Sequence, residues 1–285
     1  MVSSVQLGEW IKGLVEGYIA SPENSFNDAG EPAWETPLVG FSSGADPLYE
    51  FYMRDIGNFY VQPLDFIRHA HPSLEASPKE LTVISWVLPQ TRATKYDHRK
   101  ETKMPSERWA RARIMGEEVN VKLRAYMVGE LGRAGYPAVA PMLSPLWKQC
   151  ISEKYLFASA WSERHAAYAA GLGTFGLSDG LITAKGKAHR VGSVIAKIDI
   201  SPTPRPYTDH HAYCLWYAKG ICGDCIKKCP ANAISESGHD KQKCSDYVDT
   251  TRTFVEARYH FKGYGCGFCQ VGVPCESRIP AGIGP

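Results

Sequence analysis

The residues whose types and spacing could do chemistry are cysteines. The chain of 285 residues holds nine, and only Cys150 lies outside its C-terminal quarter. The other eight are Cys214, Cys222, Cys225, Cys229, Cys244, Cys266, Cys269 and Cys275. Three chemistries compete for them. A disulfide framework requires an oxidising compartment. The start Met1-Val2-Ser3-Ser4-Val5-Gln6 carries neither a basic nor an apolar export region, so a cytoplasmic, thiol-preserving location is expected. Zinc would take Cys222-Gly-Asp-Cys225 with Cys266-Gly-Phe-Cys269 as one tetrahedral site, and would leave four cysteines over. That reading describes a zinc-stabilised binding module.

Iron–sulfur ligation accounts for all eight. Cys222-x2-Cys225-x3-Cys229-Pro230 matches the last three quarters of the bacterial ferredoxin run. Short spacings let a tight loop present thiolates to several iron corners of one cube, and Pro230 ends the loop by fixing φ. The position three before Cys222 is Lys219, which cannot ligate, so Cys214 is the natural substitute. Cys244 is displaced upstream of Cys266-x2-Cys269, and Cys275 follows. In two-cluster ferredoxins the fourth cysteine of each run serves the other cluster. That rule assigns Cys214, Cys222, Cys225 and Cys275 to one [4Fe–4S] cluster. Cys229, Cys244, Cys266 and Cys269 go to a second. Gly220, Gly223, Gly263, Gly265 and Gly267 suit backbone wrapped close to clusters. Cys150 reads as a small buried core residue.

A double-cluster module of this kind needs only some 60 residues, so about 200 others must form a body that the clusters serve. Val5 to Ile19 reads as a helix with Leu7, Ile11, Leu14, Val15 and Tyr18 on one face. Residues 21 to 47, rich in Pro, Gly, Ser and Asn, read as irregular surface chain. Leu81 to Leu88 is a compact apolar run ended by Pro89, a buried strand. A long helix runs from Ser106 to Leu131, with Trp109, Ala112, Val119, Leu123, Met127 and Leu131 at helical spacings. Tyr136 to Met142, Leu181 to Thr183 and Val191 to Ile200 read as strands, and Glu163 to Ala170 as a helix. The glycines Gly171, Gly173 and Gly176 follow that helix and imply a tight turn or close approach to a ligand. A dinucleotide fingerprint would run strand, glycines, helix, and this order is reversed.

Composition narrows the class. A charge of +2 gives no basic field for nucleic acid, and the longest apolar run, Val83 to Leu88, is far short of the roughly 20 residues of a membrane span. Adjacent His210 and His211 do not converge on one ion. Asp97-His98 reads as part of a charged, solvated loop. Glu163-Arg164, on one turn, reads as a structural ion pair.

The order of these segments resembles the epoxyqueuosine reductase and reductive dehalogenase superfamily over roughly residues 81 to 280. The likeness is carried by Glu163-Arg164-His165-Ala-Ala-Tyr168-Ala-Ala-Gly171-Leu172-Gly173-Thr-Phe-Gly176, then Leu181-Ile-Thr, Arg190-Val-Gly192-Ser193, and the cysteine runs. Residues 1 to 80 match only loosely. The resemblance implies an α+β fold: a nitroreductase-like cobalamin-binding domain over residues 1–205, then a ferredoxin-like double [4Fe–4S] domain over 206–285. It implies a cytoplasmic oxidoreductase in which a low-potential donor of ferredoxin or flavodoxin type feeds two clusters, a cobalamin and then a small-molecule substrate. By analogy Gly171, Leu172, Gly173, Gly176, Arg190 and Ser193 would hold the corrinoid. The family's catalytic Asp falls at Phe157, and no acid lies between Lys154 and Trp161. A tRNA substrate is therefore not expected. Dehalogenases pair a Tyr with a Lys or Arg, for which Tyr155, Tyr168 and Arg111 are the leading candidates, with Tyr96 and Arg113 behind them. A non-catalytic electron-transfer module that reduces a partner protein or a corrinoid is the alternative.

Overall fold

The computed structural model describes residues 3–27 and 29–284. In chain order the elements are α1 (Ser4–Ala20), β1 (Leu38–Ser43), α2 (Pro47–Ile56), α3 (Pro63–Ala70), β2 (Leu81–Pro89), α4 (Arg92–Arg99), α5 (Glu107–Arg133), β3 (Ala138–Val139), β4 (Gln149–Ser152), β5 (Leu156–Ser159), α6 (Glu163–Ala169), β6 (Gly173–Phe175), β7 (Leu181–Thr183) and β8 (His189–Lys197). They are followed by α7 (Leu215–Lys219), α8 (Asp224–Lys227), β9 (Ile234–Ser235), β10 (Gly238–His239) and α9 (Lys241–Tyr259).

The centre is a four-stranded antiparallel sheet in the order β1-β2-β8-β3. All nine residues of β2 are buried, so both faces of the sheet are covered. Strand side chains alternate between faces, and two cores result. Val83, Val191 and Ile195 point to a core completed by Phe66 of α3 and by Trp161 and Ala166, beside and on α6. Ile84, Trp86, Val194 and Ala196 point to the other, filled by Ile11 and Val15 of α1 and by Leu123 and Met127 of α5. Both helices start where the sequence caps them. Ser3 and Gln6 close a capping box on α1, and the Ser106 side chain accepts from the Trp109 N–H at the head of α5.

Several expectations need correction. The stretch 21 to 47 is not wholly irregular, because β1 forms an edge strand there and pairs with β2 from Leu38 to Ser43. The strand expected over Tyr136 to Met142 shrinks to Ala138–Val139, because Pro141 turns the chain into a short 3-10 turn. Cys150 is not a core residue. It sits half-buried on the β4–β5 hairpin, where its thiol donates to the Lys148 carbonyl at 3.7 Å. Asp97-His98 is not a solvated loop but the end of α4, and the His98 ring is fully buried between Trp109 and Phe268 at 4.3 and 4.5 Å.

The cysteine-rich segment packs directly on the rest. Tyr207, Tyr213, Cys214, Cys225 and Ile234 belong to the same core as Phe66 and Trp161. The Lys187 N–H donates to the Cys275 carbonyl at 2.9 Å, the Tyr259 hydroxyl donates to the Pro105 carbonyl at 2.9 Å, and Arg99 pairs with Glu276. A division at residue 205 therefore runs through one continuous core. Among the described residues no helix is long and apolar enough to cross a membrane.

Candidate functional site

All nine cysteines are free thiols. Cys214, Cys222, Cys225 and Cys275 line one cavity, which the Lys187 side chain also lines. Cys214 caps α7, Cys225 lies in α8, and Cys275 arrives from the C-terminal loop. Cys222 and Gly223 both adopt left-handed backbone, at φ 91° and 86°. For a non-glycine residue that conformation costs about 1–3 kcal/mol and marks a position held by its surroundings.

The remaining four lie outside that cavity's lining. The Cys244 thiol is pushed up to about 11 by burial, with smaller upward effects from Cys269 and Cys229. Burial pushes Cys266 up to about 12, with Cys269 and Cys244 beside it. The Tyr247 hydroxyl, on α9 like Cys244, donates to the Lys103 carbonyl, and burial, then Cys266 and Cys229, raise its pKa. Cys214, Cys222, Cys225 and Cys275 thus share one cavity, as the crossed rule expects of one set, while Cys269 acts electrostatically on Cys225 as well as on Cys244.

Burial also raises Cys225 to about 11, and raises Cys269 and Cys275. Thiols desolvated in this way stay protonated until a metal displaces the proton. Among the described residues no three His, Cys, Asp or Glu side chains close on one point as a single ion requires. In a four-iron cube each thiolate bonds a different iron, so separated sets of four fit a cluster better than one tetrahedral zinc.

The residues expected to hold a corrinoid do not form a cradle. A Cβ on Gly171 would meet the Pro204 carbonyl oxygen at 2.5 Å, and one on Gly173 would meet that of Ile182 at 2.2 Å. The chain's own backbone therefore explains these glycines. Gly176 is buried beside Ile182 in the β6–β7 turn, and Leu172 packs against Gly40 of β1. Ser193 is fully buried: its hydroxyl accepts from Trp161 Nε1 at 3.0 Å and donates to Glu163. Arg190 lies 3.6 Å from Glu117, and burial lowers its pKa to about 10. As a set these six serve packing and a buried polar network.

That network redraws the Glu163-Arg164 pair. Adjacent helix residues do not face one another. Glu163 instead meets the buried Arg124 of α5 at 3.2 Å, while Arg164 is exposed and donates to the Asp179 carbonyl.

The catalytic candidates also separate. Tyr168 is buried between Phe175 and Tyr207. Arg111 pairs with Glu107 one turn away at 2.7 Å and lies over the Phe261 ring. Tyr96 is exposed under Lys100, and Arg113 donates to the Tyr264 hydroxyl at 2.7 Å. Tyr155, in the β4–β5 turn, alone sits in a polar constellation. Its hydroxyl donates to Asp55 Oδ2 at 2.6 Å, and Lys154 Nζ donates to Asp55 Oδ1 at 2.5 Å. Lys154 and Lys241 flank its ring, 4.9 and 5.3 Å from the centroid. Burial and then the Asp55 bond raise the Tyr155 pKa above the usual phenol value. Phe157, at the position of the family's acid, is exposed on β5. Sequence reasoning missed Asp55, Lys241 and Lys187. Asp55 is about 100 residues from Tyr155 in sequence, so no local pattern could pair them.

This is the fold of the epoxyqueuosine reductases and reductive dehalogenases. An epoxyqueuosine reductase in complex with an epoxyqueuosine-modified tRNA-Tyr stem loop superimposes with a TM-score of 0.51 and 15% identity, over 99% of this chain and 68% of that one. A catabolic reductive dehalogenase bound to 3-bromo-4-hydroxybenzoic acid gives 0.52 at 13% identity, over 97% of this chain and 38% of that one. A reductive dehalogenase whose structure suggests a mechanism for B12-dependent dehalogenation gives 0.51 at 15%, over 86% and 30%. The chain thus spans about a third of the dehalogenases it matches. No protein-family profile and no curated protein matches the sequence.

Proposed function

We propose that this protein is an iron–sulfur oxidoreductase that binds two [4Fe–4S] clusters in its crossed cysteine sets and passes single electrons through them to a small-molecule substrate. The observation that carries this reading is that Cys214, Cys222, Cys225 and Cys275 line one cavity from which Cys229, four positions after Cys225, is absent. The fold, shared with two kinds of reductase, supports it. The clusters would supply electrons one at a time at low potential. Tyr155 would supply the proton: it keeps its phenolic hydrogen at neutral pH, and Lys154 and Lys241 would stabilise the phenolate left behind. A low-potential ferredoxin or flavodoxin is the proposed donor.

Corrinoid-dependent reduction is a second reading, favoured by the fold shared with a B12-dependent dehalogenase. The internal engagement of the six expected corrinoid residues favours a module that works without it.

Anaerobic reconstitution tests the proposal. About eight irons per chain and a brown colour are expected. A colourless zinc protein, or iron confined to one set, would overturn it. With a chemical reductant and a panel of halogenated phenols and epoxides, Tyr155→Phe should lower any turnover about 10²–10⁴-fold at unchanged iron content. Absorbance titration with hydroxocobalamin separates the two readings, since only the corrinoid reading expects saturable binding.

A further inference from the structure

Lys187 is an anomaly by its surroundings. It lies in the loop between β7 and β8 and is 3% exposed. A buried ammonium needs compensating charge, because desolvation without it costs several kcal/mol. None of the ion pairs among the described residues includes it. What surrounds its charge are thiols: Cys275 first, then Cys269, Cys225 and Cys214. Three of these belong to one set, and Cys269 belongs to the other.

The Lys187 side chain lines the cavity of Cys214, Cys222, Cys225 and Cys275 and lowers the Cys275 thiol's pKa against the effect of burial. It donates to the Ser178 hydroxyl at 3.1 Å, and Lys187 and Ser178 both oppose the upward shift that burial gives Cys269. One buried ammonium group therefore lines the cavity of the first set and acts electrostatically on Cys269 as well. The backbone fixes its place. The Lys187 N–H donates to the Cys275 carbonyl at 2.9 Å. The preceding Gly186, at φ 77°, lies so close to Glu276 that a Cβ would fall 2.1 Å from its carbonyl oxygen.

We infer that Lys187 is the shared counter-charge of both clusters, a positioning residue that raises their reduction potentials. This rests on the two-cluster reading above. A cluster held by four thiolates is anionic, and reduction adds one more negative charge. A fixed positive charge in a low-dielectric interior stabilises the reduced form more than the oxidised one, so the potential rises. The effect must be larger on the cluster of Cys214, Cys222, Cys225 and Cys275, whose cavity Lys187 lines.

The test compares wild type, Lys187→Gln and Lys187→Arg, each reconstituted anaerobically, by iron content and by redox titration followed by electron paramagnetic resonance. Lys187→Gln should lower both midpoint potentials, the first set's more, while Lys187→Arg keeps them near wild type. If Lys187→Gln takes up no iron but Lys187→Arg does, the charge is needed to hold the clusters, which also supports the inference. Clusters with unchanged potentials in Lys187→Gln, or loss of iron in both variants, overturn the counter-charge role and leave the two-cluster reading standing. Wild-type protein that takes up no iron overturns that reading, and the inference falls with it.

Discussion

Arg124 is a buried charge that ties three parts of the fold together. It is 1% exposed and bonds Glu117 at 2.9 Å, Glu163 at 3.2 Å and the Val191 carbonyl at 3.2 Å. Glu163 pays the converse cost: burial raises its pKa and Arg124 opposes the rise. The pair joins α5 to α6 across the edge of β8, and Ser193 and Trp161 extend it into the core. Removing one partner of a buried ion pair leaves the other charge uncompensated, which costs about 3–5 kcal/mol. Arg124→Met should therefore destabilise the protein by about that much in urea unfolding. Arg124→Met with Glu163→Gln should recover part of the loss, because the stranded carboxylate is gone. If the double variant is as unstable as the sum of its parts, the two residues act independently and the network has been misread.

The link between β7 and β8 shows what an element imposes on a residue. His189 opens β8 and its Nε2–H donates to the Leu181 carbonyl on β7 at 2.7 Å, which leaves Nδ1 buried without a partner. A proton on Nδ1 would be desolvated, with Arg164 and Arg190 nearby, and the pKa falls from 6.5 to about 4. The unfolded chain takes up this proton below pH 6.5 and the folded chain does not. Stability is thus fully present above pH 6.5 and is lost as pH falls towards about 4, at up to ~1.4 kcal/mol per pH unit. His189→Gln, which keeps a donor for Leu181, should remove about one proton from the slope of stability against pH in denaturant titrations. An unchanged slope would place the proton elsewhere. The same strands mark what sequence could reveal. α1, β2, α5 and β7 show in their periodicity because each buries a continuous face. β1 does not, because Leu38–Ser43 is a short edge strand inside a glycine- and proline-rich stretch. The eight cysteines were legible because ligand spacing is local. Asp55 beside Tyr155, and Lys187 between the thiols, were not, because only the fold brings them together.

Seen whole, the molecule has one body into which the cysteine-rich segment is folded, not a body with a detachable appendage. Cys214 and Cys225 pack in the core that holds Phe66 and Trp161, and α9 carries Cys244 against α5 and β5. Crossing makes the segment a single unit as well. Cys229 follows Cys225 by four positions yet does not line the cavity of Cys214, Cys222, Cys225 and Cys275, so in the proposed crossing neither set forms from one run of chain. Paired substitutions separate this from an uncrossed arrangement, in which Cys214, Cys222, Cys225 and Cys229 would share one cluster. Cys229→Ser with Cys244→Ser removes two ligands of the same crossed set, and should leave about four irons per chain with the spectrum of one intact cluster. Cys229→Ser with Cys214→Ser strikes both crossed sets, and should deplete both clusters. An uncrossed protein gives the opposite pattern. Iron analysis of the two double variants, each checked for a cooperative thermal transition, therefore decides between the arrangements, and a surviving cluster in the Cys214–Cys229 variant would refute the crossing.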